Sequence, residues 1–157
     1  MQDKKIMIRK AKMKEAPIIK ELKFEVFDTI ISKYYDKEQV DVFKKTNSVP
    51  IIKKRIKNKN NYILSINNEI IATIYINNAN RPAGFAVKPE YQGHGHGKRL
   101  LSFIEDLFRK EGHKKITLNS TINSVGFYSK MGYKKIKDNH MTILDIKFPT
   151  VYMEKTL

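Results

Sequence analysis

The sequence predicts a mixed α/β fold, on three observations. Short β-branched and aromatic runs occur near both ends and in the middle of the chain. Stretches with apolar residues three and four apart lie between those runs. Proline, glycine and asparagine fall at the joints. With 157 residues, of which 41% are hydrophobic, the chain suits one domain over residues 1–157. A chain of this length buries roughly 70% of its unfolded surface and needs no staples.

Residues 4–12 set Ile6 and Ile8 two apart, as a first strand does. Glu15 and Pro17 then open a helix, with acidic charge and proline in its first turn. Ile18, Leu22, Val26 and Ile30 recur every fourth residue along it. Residues 36–43 read as a short second helix, broken by Asn47-Ser48-Val49-Pro50. The basic run 53–59 (KKRIKNK) reads as a solvated helical face or loop.

Residues 62–66 and 70–76 form a hairpin around Asn67-Asn68-Glu69. Gly84-Phe85-Ala86-Val87 reads as a buried strand stopped by Lys88-Pro89. Residues 98–111 are helical, with Leu100, Leu101, Ile104, Leu107 and Phe108 in one stripe and Gly112 as the left-handed cap. A short strand at 115–118 follows. Then comes a helix over 123–131, with Asn123 as N-cap and Gly132 past its end. Strands at 133–136 and 151–155 close the order: β, two helices, three strands, helix, strand, helix, two strands.

The chain has no cysteine, which excludes a disulfide framework, cysteine metal clusters and a thiol nucleophile. The basic start, residues 1–14, lacks a signal-peptide apolar core, and no run of 18 apolar residues occurs. A cytoplasmic protein without a membrane partner is expected. The net charge of +15 favours anionic partners. It matches no nucleic-acid motif: helix-turn-helix, zinc-finger and aromatic RNA-binding patterns are absent.

The informative unit runs from Val87 through Gln92-Gly93-His94-Gly95-His96-Gly97-Lys98-Arg99 to Leu101. A buried strand ends, a glycine-rich loop turns and an amphipathic helix begins. Alternate glycines let backbone amides approach an anion without a Cβ in the way. The helix start adds free N–H groups and partial positive charge. A dinucleotide-binding GxGxxG fails, because its third glycine falls on Lys98 or Leu100. A Walker loop fails because Gln92 stands where its first glycine belongs. His94 and His96 form an H-x-H pair with no carboxylate or cysteine partner close by, so no metal is expected. What remains, Q-x-x-G-x-G, resembles the pyrophosphate-binding signature of the GNAT superfamily of N-acetyltransferases.

A second segment, Asn123-Ser124-Val125-Gly126-Phe127-Tyr128-Ser129-Lys130-Met131-Gly132-Tyr133, is similar to the GNAT pattern N-x-x-A-x-x-F/Y-Y-x-K-x-G-F. Gly126 replaces the usual alanine and Tyr133 the usual phenylalanine. The resemblance covers most of the chain and is weakest over residues 34–59. It implies the acyl-CoA N-acyltransferase fold, a central mixed, mostly antiparallel sheet flanked by about four helices. It also implies acetyl-CoA as co-substrate and a primary amine on a small molecule or peptide as acceptor.

Residue by residue, the resemblance implies that the backbone of Phe85, Ala86 and Val87 pairs with the pantetheine arm. Amides of Gly93, His94, Gly95, His96, Gly97 and Lys98 would hold the pyrophosphate, with Gln92 fixing the loop. Asn123, Gly126 and Lys130 would lie beside the cofactor. Tyr128 matches the family's usual general acid toward the departing thiolate. A tyrosine near pKa 10 facing a thiol near 8.5 transfers a proton uphill by about 2 kcal/mol. A hydrogen bond that strengthens as charge develops on sulfur avoids that full cost.

No carboxylate or histidine occupies residues 80–87, where relatives often carry a base. Glu25, Asp28, Asp36 and His140 read as surface or capping residues, so no base is assigned. The charge disfavours polyamine acceptors and leans toward a neutral or acid-bearing amine. Two other functions remain open, a non-catalytic acyl-CoA sensor and a nucleic-acid-binding module on the same fold. Family relatives are often dimers, so a homodimer is among the expected states.

Overall fold

The computed structural model describes residues 4–157; the first three residues of the basic start lie outside it. The chain runs β1 (Ile6–Lys10), α1 (Ala16–Thr29), α2 (Lys37–Lys45), α3 (Val49–Lys57), β2 (Asn61–Ile66), β3 (Glu69–Ile76), β4 (Pro82–Val87), α4 (His96–Lys110), β5 (Lys115–Thr121), α5 (Val125–Lys130), β6 (Lys134–Ile143) and β7 (Ile146–Thr156). The mixed α/β class holds, with five α-helices and antiparallel ladders throughout.

The strands form two sheets, ordered β1-β2-β3-β4 and β5-β7-β6. β4 pairs only with β3, and β5 only with β7. Their facing edges come near one another without sharing a ladder. That split between β4 and β5 positions the site described below.

Apolar burial occurs on both faces of the first sheet. Tyr62, Leu64, Ile66, Ile71 and Ile74 pack with α4, α5, β5 and β7 through Leu100, Leu101, Ile104, Phe108, Leu118 and Met153. Ile63, Ile70 and Ala86 pack with α1 to α3 through Ile19, Leu22, Phe27, Val40, Ile52 and Ile56. A sheet covered on both faces explains why every residue of β2 is buried, Asn61 and Ser65 included. On α4 the expected stripe faces the core. Glu105 joins that stripe, buried, where it accepts a hydrogen bond from Tyr133 Oη at 2.9 Å and pairs with Lys155 at 3.0 Å.

Several elements differ from the sequence-based expectation. On α1 the core face is Ala16, Ile19, Leu22, Lys23, Val26 and Phe27, while Ile18 is 48% exposed. A strict every-fourth row drifts around a helix of 3.6 residues per turn, so Ile18 lies about 80° from Val26 and falls outside the buried stripe. Asn47 to Pro50 starts a helix rather than only ending one: Pro50 occupies the first turn of α3. The basic run lies on α3, with Lys53 and Lys54 outward and Ile52 and Ile56 inward. β6 and β7 extend far beyond the expected closing strands, and His140 lies within β6 opposite Pro149. Asn123 does not cap α5; it sits in a 3-10 turn over Ile122–Ser124.

β1 is tied to α1 by one ion pair. Arg9 Nη1 and Nη2 donate to Glu15 Oε1 and Oε2 at 2.8 and 2.7 Å, and the Lys12 N–H donates to Oε1 at 2.7 Å. The guanidinium bonds, chiefly, hold the Glu15 carboxyl below its usual pKa. A depressed carboxyl stabilises the fold above its unfolded value, about 4.3, and loses that contribution as pH falls through the folded value. Glu15→Gln is therefore expected to cost about 1–2 kcal/mol at neutral pH and less at pH 3, below the unfolded value. Denaturant titrations at the two pH values check this; an equal loss at both would contradict it.

Candidate active site

The bend between β4 and α4 begins with a 3-10 turn over Pro89–Tyr91. Gln92 then donates from Nε2 to the Val87 carbonyl at 2.9 Å, tying the loop to the end of β4. Tyr91 Oη donates to Glu69 at 2.9 Å, and Lys88 pairs with the same carboxylate at 3.0 Å. The loop is thus pinned to the β2–β3 turn from its outer side.

Gly93 and Gly95 both take left-handed backbone conformations, with φ of 80° and 85°. A Cβ would meet nothing within 4 Å at either position, so backbone geometry rather than crowding selects glycine. Gly95 is the N-cap of α4, and Arg99 N–H to the Gly95 carbonyl is a first helical bond at 3.1 Å. The first-turn amides ahead of it have no intrahelical acceptor. Gly97 is selected by contact instead: its Cβ would lie 3.1 Å from Phe85 Cζ and 3.4 Å from Phe127. Those two rings stack at 5.3 Å and floor the bend.

Beside the bend opens a cavity of about 700 Å³. Of the residues expected at the cofactor, Phe85, Ala86, Val87, Gln92, Gly93, Gly95, Gly97, Lys98, Asn123 and Lys130 line it. His94, His96 and Gly126 do not. Gly126 is exposed, and a Cβ there would point into open space, so alanine would fit equally well. His94 is exposed and His96 half-buried, their rings 6.4 Å apart. Burial and the neighbouring His94 hold His96 below the usual imidazole pKa. No group of three or more histidine, aspartate or glutamate side chains suited to a metal occurs among the described residues.

Asn123 Oδ1 is buried without a hydrogen-bond partner at this cavity, an orphan acceptor. An amide N–H of a pantetheine arm would satisfy it, and the same arm would pair with the unpaired edge of β4. The residues present fit a pantetheine pyrophosphate: an open strand edge, an orphan acceptor, then a bend of free amides.

Tyr128 lies in a second cavity of about 340 Å³, which shares Val26, Phe85, Ala86, Asn123 and Ser124 with the first. Its ring packs against Phe127 at 5.4 Å and Tyr133 at 5.5 Å. Burial alone raises its pKa, with no hydrogen bond acting on the hydroxyl, so the phenol stays protonated. Glu25, Asp28, Asp36 and His140 line neither cavity. Asp36 caps α2 by accepting from Gln39 N–H at 2.8 Å, and Asp28 pairs with Lys44 at 2.6 Å.

Some lining residues carried no signal that sequence reasoning used. Ile30 borders the first cavity from the end of α1, and Lys23 and Arg55 border the second. Lys23 reads as one surface lysine among many, and Arg55 as part of a solvated basic run.

The fold resembles several solved structures. A GCN5-related N-acetyltransferase from Rhodopseudomonas palustris superposes with a TM-score of 0.88 at 18% identity, over 96% of this chain and 95% of that one. The PaiA N-acetyltransferase from Thermoplasma acidophilum, solved in complex with coenzyme A, gives 0.78 at 25% identity over 98% and 99%. The ribosomal-protein-S18-alanine N-acetyltransferase from Escherichia coli gives 0.67 at 16% identity over 97% and 94%. No curated protein sequence matches the chain. No described helix is long and apolar enough to cross a membrane. The sequence profile of the acetyltransferase (GNAT) domain matches residues 31–157, most of the chain. Together with the split sheet and the bend of amides at its edge, that match makes this chain a member of the GNAT acetyltransferase family.

Proposed function

We propose that the protein, as one domain over residues 1–157, is an acetyl-CoA-dependent N-acetyltransferase acting on a primary amine of a small molecule or peptide. The observation that carries this reading is the junction of two cavities at Phe85, Ala86, Asn123 and Ser124, one beside the amide bend and one holding the Tyr128 side chain.

In this reading the free edge of β4 at Phe85 to Val87 binds the pantetheine arm as an added strand. Asn123 Oδ1 accepts an amide proton from the same arm. Amides from Gly93 to Lys98 grip the pyrophosphate, held in place by the Gln92 bond to β4. Lys98 and Lys130, both exposed at the cavity, add charge for the phosphates. Acetyl-CoA supplies the acetyl thioester, whose C–S bond breaks as the amine nitrogen forms the new C–N bond. The amine gives up one proton and the sulfur takes one.

Tyr128 donates its hydroxyl proton toward the sulfur. Its raised pKa makes early, complete transfer costlier than for an ordinary phenol, so stabilisation by a strengthening hydrogen bond is the working mode. The proton lost by the amine passes to water, since neither cavity is lined by a carboxylate or histidine.

Coenzyme A release from acetyl-CoA, measured against a panel of amines, amino acids, aminoglycosides and peptides, tests the reading. Amine-dependent release is expected. Tight coenzyme A binding without release over the whole panel would instead indicate a sensor. Salt-sensitive DNA binding without coenzyme A binding would indicate a nucleic-acid module.

A further inference from the structure

The second cavity is charged in one sense only. Lys23, Arg55 and Arg81 line it, and no aspartate, glutamate or histidine does. Lys23 projects from α1 and is 3% exposed. Its Nζ sits 5.3 Å from the centre of the Tyr75 ring. A Cβ at Gly84 would lie 2.7 Å from that nitrogen and 2.3 Å from the Tyr75 ring. The glycine therefore makes the space that the ammonium and the ring occupy.

The Arg55 guanidinium lies 4.0 Å from the same Tyr75 ring. It is fixed by donating to Asn47 Oδ1 at 2.7 Å and to the Thr46 carbonyl at 3.0 Å. Both acceptors are neutral, so they orient the guanidinium without cancelling its charge. Among the described residues no carboxylate pairs with Lys23 or Arg55.

Magnitudes decide what this arrangement is for. Removing an ammonium from water costs several kcal/mol. A cation over an aromatic face returns about 0.5–2 kcal/mol. Burial and the neighbouring Arg55 accordingly press Lys23 well below the usual lysine pKa. A stability role would be served better by methionine at position 23. An incoming anion restores the balance, because a buried pair with good geometry recovers the cost that an isolated ion does not.

We propose that the second cavity is the acceptor site and that Lys23 and Arg55 bind an oxyanion, a carboxylate or a phosphate, carried by the acceptor amine. The substrate class is thus an amine that bears its own anionic group, such as an ω-amino acid or an amino-alkyl phosphate. Polyamines are rejected by the same charges. Arg81, placed over Tyr152 at 5.4 Å, extends the positive wall. This proposal rests on the acetyltransferase reading, whose own failure shows separately as loss of coenzyme A binding.

The test compares matched acceptors that differ only in the anion: 4-aminobutyrate with 4-aminobutanamide, β-alanine with β-alaninamide, and 2-aminoethyl phosphate with ethanolamine. The anionic member of at least one pair is expected to show kcat/KM about tenfold or more above its uncharged partner. The carboxylate and phosphate pairs separate the two anions. Lys23→Met is expected to shrink that preference by about threefold or more, Arg55 keeping its share, while it leaves the KM for acetyl-CoA unchanged and raises Tm. A merely structural Lys23 would lower Tm and leave the preference alone. A readout free of turnover is an NMR titration of coenzyme A-loaded protein with N-acetyl-4-aminobutyrate and N-acetyl-4-aminobutanamide. The carboxylate should bind about tenfold or more tighter in the wild type and by a clearly smaller factor in the variant. Equal use or equal binding of the charged and uncharged partners by the wild type would overturn the proposal, as would a preference undiminished in Lys23→Met.

Discussion

Tyr128→Phe is expected to lower kcat by about 10- to 100-fold while leaving coenzyme A affinity and Tm unchanged. The ring's contacts with Phe85, Phe127 and Tyr133 survive the change, because all are made by carbon atoms. The hydroxyl that is lost has no hydrogen bond acting on it, so its removal orphans nothing and costs no stability. The Tyr128 side chain lines the second cavity, and donation toward a departing thiolate is a chemistry its hydroxyl suits. Steady-state kinetics with a reactive amine, beside a thermal melt, reads both halves of the prediction. Unchanged kcat, or a large fall in Tm, would return Tyr128 to the role of a core aromatic.

Charge placed at the bend should act as strongly as that lost hydroxyl. Gly95→Asp and Gly95→Asn impose the same left-handed strain at φ 85°, on residue types that tolerate it. Neither side chain meets a neighbour, since the Cβ direction is open. Both are good N-caps, so α4 should start as before. They differ by one negative charge beside the amides. If those amides hold a pyrophosphate, asparagine should weaken coenzyme A binding by about tenfold or less. Aspartate should weaken it by about 100-fold or more, since like charges near 4 Å repel by about 4 kcal/mol at a protein surface. The Tm of the aspartate protein should match or exceed that of the asparagine protein, because the two share the backbone strain and only the carboxylate complements the helix dipole. Affinity and stability would then move in opposite directions, which general misfolding cannot produce.

The parts of the fold that were legible in the sequence are those where local chemistry and burial agree. The α4 stripe from Leu100 to Phe108 and the paired asparagines of the β2–β3 turn, with φ of 50° and 70°, match their positions in the structure. So do the glycines of the bend. The length of β6 beyond residue 136 was hidden because it is an edge strand whose residues are mostly exposed, with Met141 and Ile143 alone as inward apolar residues in that stretch. Its turn is made by Leu144 and Asp145 with φ of 49° and 63°, and leucine gives no turn signal. The start of α3 was masked because the same serine and proline that end one helix begin the next.

For the site, the loop and the Asn123–Tyr133 segment were readable because their spacing along the chain carries the geometry. Lys23 and Arg55 were not. Their proximity is created by packing α1 and α3 against Tyr75 of β3, and no local pattern distinguishes an inward lysine in a chain with 31 lysines and arginines.

The central claim is that free backbone amides between β4 and α4 grip a diphosphate. Calorimetric titration of the wild-type protein with coenzyme A and, in parallel, with pantetheine tests that grip. Pantetheine keeps the arm and lacks both the diphosphate and the 3′-phosphoadenosine, and the share of the latter is read from a control titration with 3′-phosphoadenosine. Coenzyme A is expected to bind about 100-fold or more tightly than pantetheine, with the advantage shrinking as salt is added. Equal affinities for the two, or no heat with coenzyme A at all, would contradict the account.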